Sequence, residues 1–208
     1  MIDTACDETG ITALAPTRAV PEPLLQELIR HASLAPSGHN TQPWKFSVSG
    51  NVIEIVPDMS RRLSIVDPDD HALYISLGCA LENLVIASAA KGLAAAVEYG
   101  PGRLRVTLTP NGSREAGALF RAIPVRQSNR SVFDGRALPA DHVRQLMAAG
   151  SFESVDVKVF RTGEAQIEPI IQFVMQGNIA QFNDKAFVNE LVRWIRFSKR
   201  EVEQTKDG

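Results

Sequence analysis

The richest group of polar side chains in this sequence lies in residues 34–46 (LAPSGHNTQPWKF), directly after an apolar helical pattern. Pro36 interrupts that pattern, and residues 44–48 then alternate between apolar and polar types as a strand does. Four positions offer hydrogen-bonding groups, or a backbone that can approach a ligand closely: Ser37, Gly38, Asn40 and Gln42. The pattern predicts a helix-to-strand loop whose groups match the edge of a flat heterocycle.

Residues 36–44 (PSGHNTQPW), called the ring loop below, resemble the P-S-x-x-N-x-Q-P-W loop of the nitroreductase family of flavoproteins. In that family the loop holds the isoalloxazine ring of FMN. The resemblance therefore implies a ring-binding role for five residues: Pro36, Ser37, Gly38, Asn40 and Gln42. The alternative is a polar loop that only turns the chain. We expect ring binding, because the motif lies between the helix and the strand that the family places around it.

A second polar cluster lies in residues 123–133 (IPVRQSNRSVF). If this segment is extended, Arg126, Ser128 and Arg130 lie on the same side, because side chains alternate along extended backbone. Two guanidinium groups and a hydroxyl suit a phosphate, which accepts charge-assisted hydrogen bonds. A solvated basic strand has the same pattern and is the alternative.

These three residues also resemble the R-x-S-x-[RK] arm by which nitroreductases hold the phosphate and ribityl chain of FMN. The resemblance implies that Arg126 and Ser128 bind phosphate. It places Arg130 near the N1/O2 edge of the flavin, where a cation stabilises negative charge on the reduced ring.

Periodicity predicts the elements around the two clusters. A helix over residues 23–34 leads into the ring loop, and strands over 44–49 and 52–56 form a hairpin across the Gly50-Asn51 turn. Residues 59–71 are expected to form a surface loop. Residues 72–93 are apolar on nearly every face, which indicates a buried central helix.

The remaining elements complete an α+β fold, with an antiparallel or mixed sheet flanked by helices. Residues 103–109 alternate as a strand, and a short helix follows, for which Ser113 is a plausible cap. Two further helical patterns run from residue 167 to 195, and Asp184 can cap the second. Trp194 and Phe197 are expected to be core or interface residues.

An internal repeat is predicted in the second half. A helix over residues 139–150 and a strand over 155–159 repeat the order of the first half, with a shorter link where a ring loop would be. We therefore expect an N-terminal arm (residues 1–20), a nitroreductase-like half with the ring loop (21–122), and a degenerate, incomplete half with the phosphate arm (123–208).

The two halves are complementary, because the first has a ring loop and the second has a phosphate arm. In homodimeric nitroreductases, the ring loop of one subunit meets the phosphate arm of the other. The resemblance thus implies a fused pseudo-dimer with one FMN per chain, and a further homodimer stays possible. Fused chains of this kind resemble the Acg branch of the family, which is implicated in binding or sequestering flavin.

Composition narrows the class of partner and the compartment. Lys and Arg number 22 against 24 Asp and Glu, so no basic excess favours nucleic acid or an anionic membrane. The sequence shows no apolar run that would span a bilayer, and its acidic N-terminus does not resemble a secretory signal. Cys6 and Cys79 match no metal or redox spacing, and Cys79 is expected to be a small core residue. These features predict a cytoplasmic protein.

The sequence contains no acid, base or nucleophile constellation, so neither a catalytic side chain nor a metal site is predicted. FMN would carry the chemistry, with NAD(P)H as a possible co-substrate and a nitroaromatic or quinone as the small-molecule acceptor. The alternative is a non-catalytic FMN-binding protein with a shielded flavin.

Overall fold

The structure is a computed structural model that describes residues 18–112, 114, 117–129, 131–151, 155–161 and 163–206. The predicted arm therefore lies almost wholly outside the described residues, as do Ser113, Cys6 and Arg130. The chain forms two compact units. The first comprises residues up to Arg126 together with those from Arg196 onward, and the second comprises Gln127–Ile195.

The first unit begins with helix α1 (Glu22–Ala32), which carries prolines in its first turn, where a missing N–H costs no helical hydrogen bond. Its apolar side buries Leu25, Leu28 and Ala32. Strands β1 (Trp44–Ser49) and β2 (Val52–Pro57) pair antiparallel, with Gly50 at φ +58° in the turn. The predicted helix and hairpin are confirmed.

Strand β3 spans Leu93–Gly100 and strand β4 spans Arg103–Pro110. Together with the hairpin they form a sheet of four antiparallel strands in the order β1-β2-β4-β3. Strand β4 is the predicted one, whereas β3 was not predicted. The three alanines at residues 94–96 favour a helix, so the local sequence does not indicate a strand there. The strand forms because its backbone pairs along the whole of β4. The fold class α+β is confirmed, and the described sheet is antiparallel throughout.

Helix α2 (His71–Ala90) is the centre of the core and packs against α1 and against strands β2 and β3. It meets the inner face of the sheet, where Ile53, Val106 and Leu108 are fully buried. Gly92, at φ +76°, stops the helix as predicted. Among the described helices, α2 is long and apolar enough to cross a membrane, contrary to the prediction that the sequence has no such run. In this fold it is the core helix.

The segment before α2 is more than the predicted surface loop, because it caps the helix. The Asp67 carboxylate is buried and accepts hydrogen bonds from the amides of Ala72 (3.0 Å) and Leu73 (2.9 Å). These are amides that the first turn of a helix leaves without internal partners. Leu63 from the same segment is also buried, so part of the segment packs against the core, while residues 68 and 69 are exposed to solvent.

Two shorter helices complete the first unit. Helix α3 (Ala118–Ala122) places the Phe120 ring on His31, with ring centroids 5.0 Å apart. Helix α7 (Lys199–Thr205) was not predicted, although its capping box was visible in the sequence: Ser198 and Glu201 exchange side-chain and backbone hydrogen bonds.

The second unit contains α4 (Ala140–Gly150), α5 (Ile167–Asn183) and α6 (Lys185–Trp194). The three helices and the Asp184 cap are confirmed. The predicted strand over 155–159 is wrong, because Val155 makes only an isolated bridge and residues 156–161 have no regular structure. Period-two alternation alone does not make a strand without a partner strand for its backbone groups. Trp194 is half-buried, whereas Phe197 of the first unit is exposed, so of the two predicted alternatives, core or interface, Phe197 is not a core residue.

The core position of α2 predicts a large effect of truncating Leu84, which is fully buried. Leu84→Ala should lower the free energy of unfolding by about 2–5 kcal/mol, because it removes buried methyl groups and leaves a cavity. Urea unfolding followed by the fluorescence of buried Trp44 measures this. Ile75→Ala on the same helix is the control: its side chain is 67% exposed, so a comparable loss there would contradict the assignment of the core face.

The cap on α2 predicts that Asp67→Ala destabilises the first unit by about 1–2 kcal/mol, since two amides lose their acceptor. Asp69→Ala is the matched control, because Asp69 is an exposed carboxylate two residues away. Thermal unfolding of both variants makes the comparison. Equal midpoints for the two would show that the Asp67 carboxylate does not stabilise the helix.

Candidate functional site

The ring loop is closed by hydrogen bonds within itself. The amide of Asn40 donates to the Ser37 carbonyl (3.0 Å) and that of Thr41 donates to the Gly38 carbonyl (2.9 Å), forming one 3-10 turn. The amide of Gln42 donates to the Ser37 hydroxyl oxygen at 2.9 Å. Ser37 thus ties the start of the loop to its end, and its side chain fixes loop shape as well as being a possible ligand contact.

Three residues of this loop that are not glycine have left-handed backbone angles: His39 (φ 48°), Asn40 (φ 54°) and Gln42 (φ 51°). Such angles cost about 1–3 kcal/mol each for a residue with a Cβ, and they persist only where the surroundings enforce them. Asn tolerates the conformation best because its short amide can bond locally. The loop is therefore a strained structure held in shape by its neighbours, which is typical of ligand-binding segments.

The inner side of the ring loop is fixed to the core. The Gly38 amide donates to Ser76 Oγ on α2 at 3.3 Å, and Arg61 Nε donates to the Thr41 carbonyl. A Cβ on Gly38 would lie 3.3 Å from Leu63 Cδ1, so the glycine packs closely on the core and a larger residue there would require Leu63 to shift by a few tenths of an ångström. The space beneath the loop is a cavity of about 10 Å³, about the volume of one water molecule at most. A ligand must therefore bind on the outer side.

The outer side carries the predicted ring-binding groups. Pro36 and Asn40 are exposed, while Ser37, Gly38 and Gln42 are half-buried. The side-chain nitrogen Nε2 of Gln42 donates a hydrogen bond to the Lys206 carbonyl at 3.0 Å, so the end of α7 lies beside the loop. Side-chain amides and a hydroxyl on one small surface can pair with alternating donors and acceptors of a heterocycle edge.

The turn that carries Arg61 is itself held by charge. Asp58 accepts from the Ser60 amide (3.1 Å) and pairs with Lys45 Nζ (3.0 Å). The hydrogen bond from the Ser60 hydroxyl (2.6 Å), together with the Lys45 ammonium, lowers the pKa of the Asp58 carboxyl below its usual value. The Asp58 amide also donates to the Pro43 carbonyl at 3.0 Å, which joins this turn to the end of the ring loop.

The phosphate arm is extended only in part. Residues 123–125 form a 3-10 turn, and Arg126 begins the extended backbone with φ −63° and ψ 130°. Arg126 Nη2 lies 3.4 Å from the Leu34 carbonyl, two residues before the ring loop. Arg126 therefore reaches the base of the ring loop within one chain. Ser128 is exposed and belongs to the second unit, and Arg130 lies outside the described residues.

Arg126 also influences the thiol of Cys79 on α2. Partial burial raises the pKa of Cys79, and the nearby Arg126 guanidinium opposes this by favouring the thiolate. Cys79 is a free thiol, half-buried against the core as predicted. A raised pKa keeps it protonated near neutral pH, which does not favour a nucleophilic role.

The sequence analysis did not predict the two residues that hold the loop, Arg61 and Ser76. Each lies in a segment whose pattern indicated only a surface loop or a core helix. A polar residue within the apolar pattern of α2 was the available signal for Ser76, because a buried hydroxyl needs a partner. In the part of the chain that the structure describes, His, Cys, Asp and Glu form no cluster that could hold a metal ion.

Comparison with known proteins agrees with the ring-loop motif. Residues 11–64 match the family model described as "Nitroreductase family", and this match contains the whole loop. The chain is 28% identical over 167 residues to "Putative NAD(P)H nitroreductase Rv3131" of Mycobacterium tuberculosis, covering 77% of this chain and 47% of that protein. It is 29% identical over 86 residues to "Putative NAD(P)H nitroreductase acg" of the same organism, covering 41% and 26%.

The chain thus spans about half the length of the first of these curated relatives. Among solved structures it is similar to a putative nitroreductase from Desulfovibrio desulfuricans in complex with FMN. That similarity has 17% identity and a TM-score of 0.39, and it covers 59% of this chain and 88% of the other. The family-model match and the curated relatives show that the chain is similar to members of the nitroreductase family, and the matched segment contains the ring loop.

Proposed function

We propose that the chain binds FMN and acts as an NAD(P)H-dependent oxidoreductase on an electron-poor acceptor such as a nitroaromatic or a quinone. The observation that carries this proposal is the position of Arg126, whose guanidinium lies 3.4 Å from the Leu34 carbonyl at the base of the ring loop. The proposed phosphate ligand and the proposed ring-binding loop are therefore close together in one chain.

The chemistry of the donor set fits FMN. The outer side of the loop offers the Ser37 hydroxyl and the amides of Asn40 and Gln42, which suit the carbonyl and imide groups along a flavin edge. Gln42 would exchange its bond to the Lys206 carbonyl for one to the ring. Pro36 and Gly38 would shape the loop, while Arg126 and Ser128 would hold the phosphate.

Bound FMN would supply hydride chemistry, taking electrons from NAD(P)H and passing them to the acceptor. The chain's own residues would bind and orient the cofactor and tune its charge. Arg130 would favour negative charge at the N1/O2 edge, as the family resemblance implies. None of these roles needs a catalytic acid or base from the protein.

A non-catalytic FMN-binding protein is the second candidate, and the contact between Gln42 and Lys206 favours it. A segment beside the ring loop could shield a flavin from NAD(P)H. Rapid bleaching of bound flavin by NADH or NADPH supports the oxidoreductase, because a nicotinamide needs an open flavin face. Tight flavin retention without bleaching supports the second candidate.

The wider organisation is part of the same proposal. One FMN per chain would follow if residues 21–122 and 123–208 are the two complementary halves of a pseudo-dimer. A homodimer of such chains is compatible with this arrangement, and neither nucleic acid nor a membrane has a part in it. A cytoplasmic location suits the free thiol of Cys79.

The first expected result is a yellow protein that releases about one FMN per chain, as complementary halves require. Visible absorbance of the purified chain, with released flavin quantified against polypeptide, measures this. Two FMN per chain would contradict the complementary halves. A colourless protein that cannot be reconstituted with FMN would overturn the proposed function.

Arg126→Ala should weaken FMN binding about tenfold or more without unfolding the first unit, because it removes a charge-assisted phosphate contact from an exposed position. Fluorescence titration with FMN measures the affinity. The control is Arg103→Ala, which removes an exposed arginine on β4. Equal FMN affinity in the two variants would remove the phosphate role of Arg126.

The reactivity of the Cys79 thiol tests the position of Arg126 independently of flavin binding. In a Cys6→Ser background, Arg126→Ala should raise the pKa of Cys79 further, since the guanidinium favours the thiolate. Alkylation of Cys79 at pH 8 should then become slower than in the parent. An unchanged rate would contradict the proximity of Arg126 and Cys79, whatever the result with FMN.

A further inference from the structure

Ser76 is a buried hydroxyl on the face of α2 that lies beneath the ring loop. Its side chain is 3% exposed, and its hydroxyl donates to the Ala72 carbonyl one helical turn earlier at 2.6 Å. That bond orients the oxygen, whose lone pairs then accept the Gly38 amide at 3.3 Å. Ser76 thus joins the helix that fills the core to the loop that carries the proposed ligand groups.

The position of this contact within the loop is important. Gly38 directly precedes His39 and Asn40, two of the residues with left-handed backbone angles. Arg61 holds the Thr41 carbonyl on the far side of the same turn. His39 and Asn40 therefore lie between two anchored positions, of which Gly38 is held by α2 and Thr41 by the turn after β2. Without an anchor, a strained turn relaxes toward ordinary backbone angles.

The contact also determines which groups of the loop can reach a ligand. Because the Gly38 amide points to Ser76, it is directed toward the core and away from the outer side. The Ser37 hydroxyl and the side chains of Asn40 and Gln42 are then the proposed ring-binding groups of the loop. Their directions depend on the backbone angles that the anchors maintain.

We propose that Ser76 is a positioning residue of the flavin site: it holds the Gly38 amide and thereby sets the shape in which the ring loop presents Asn40 and Gln42. This inference rests on the proposed function for its effect on FMN. Its structural part, the tethering of the loop, holds for the chain without ligand.

Helix α2 offers a matched control. Ser88 is also fully buried, and its hydroxyl also donates one turn back, to the Leu84 carbonyl at 2.7 Å. That hydroxyl bond stays within its own helix. Ser88→Ala therefore reproduces the loss of a buried hydroxyl and of a helical side-chain bond, and differs from Ser76→Ala in leaving the ring loop tethered.

The experiment compares the two alanine variants in two measurements on the full chain. Amide hydrogen exchange, followed residue by residue by NMR without flavin, should be about tenfold faster at Gly38 in Ser76→Ala than in Ser88→Ala. FMN affinity by fluorescence titration should be about fivefold weaker in Ser76→Ala and unchanged in Ser88→Ala, as the loss of one hydrogen bond predicts.

The outcomes separate the inference from the proposed function. If Gly38 exchanges equally in both variants, the tether is absent and the inference fails. If exchange rises while FMN affinity stays that of the parent, the tether exists but Ser76 does not position the flavin site. If the parent chain binds no FMN, the proposed function fails, and faster exchange at Gly38 alone still establishes the tether.

Discussion

Burial of α2 between α1 and the antiparallel sheet is the interaction on which the rest of the first unit depends. The buried side chains of α2 pack against those of α1 and against the inner face of β2 and β4, and together they form one continuous core. Each fully buried leucine there contributes about 1.5–3 kcal/mol relative to an exposed one. Since the ring loop is strained, this core must supply the free energy that keeps it in shape.

The same helix fixes the loop in space. Asp67 caps the first turn of α2, and Ser76, in the second turn, accepts a hydrogen bond from the Gly38 amide. The loop is therefore anchored to a rigid helix as well as to the turn that carries Arg61. A site built in this way presents its groups with little freedom, which lowers the conformational entropy lost when a ligand binds.

Arg126, the proposed phosphate ligand, is positioned by different contacts. Arg126 follows α3, which is placed by the contact of Phe120 with His31 and lies close to Lys91, whose ammonium pairs with Glu27 at 2.5 Å. The hydrogen bond from Lys91 lowers the pKa of Glu27. This cluster lies at the surface, so its salt bridge adds little to stability. Its effect is to place one guanidinium beside the base of the loop.

The sequence by itself determined the elements whose signals are local. Apolar periodicity located α1 and α2, the Gly50-Asn51 turn located the first hairpin, and the order of residues 36–44 indicated the ring loop and its resemblance to nitroreductases. Gly92 marked the end of α2, because a left-handed residue there favours glycine. These features depend on residues close together in the chain, so a pattern can report them.

Only the tertiary structure decided the features that depend on distant partners. Strand β3 exists because β4 pairs with it, whereas residues 155–159, with a better strand pattern, stay irregular. The anchors of the ring loop, Ser76 and Arg61, come from segments 38 and 20 residues away from the groups that they hold. Hydrogen-bond partners at such separation are set by packing, because the core brings them together and no local preference of the chain encodes that approach.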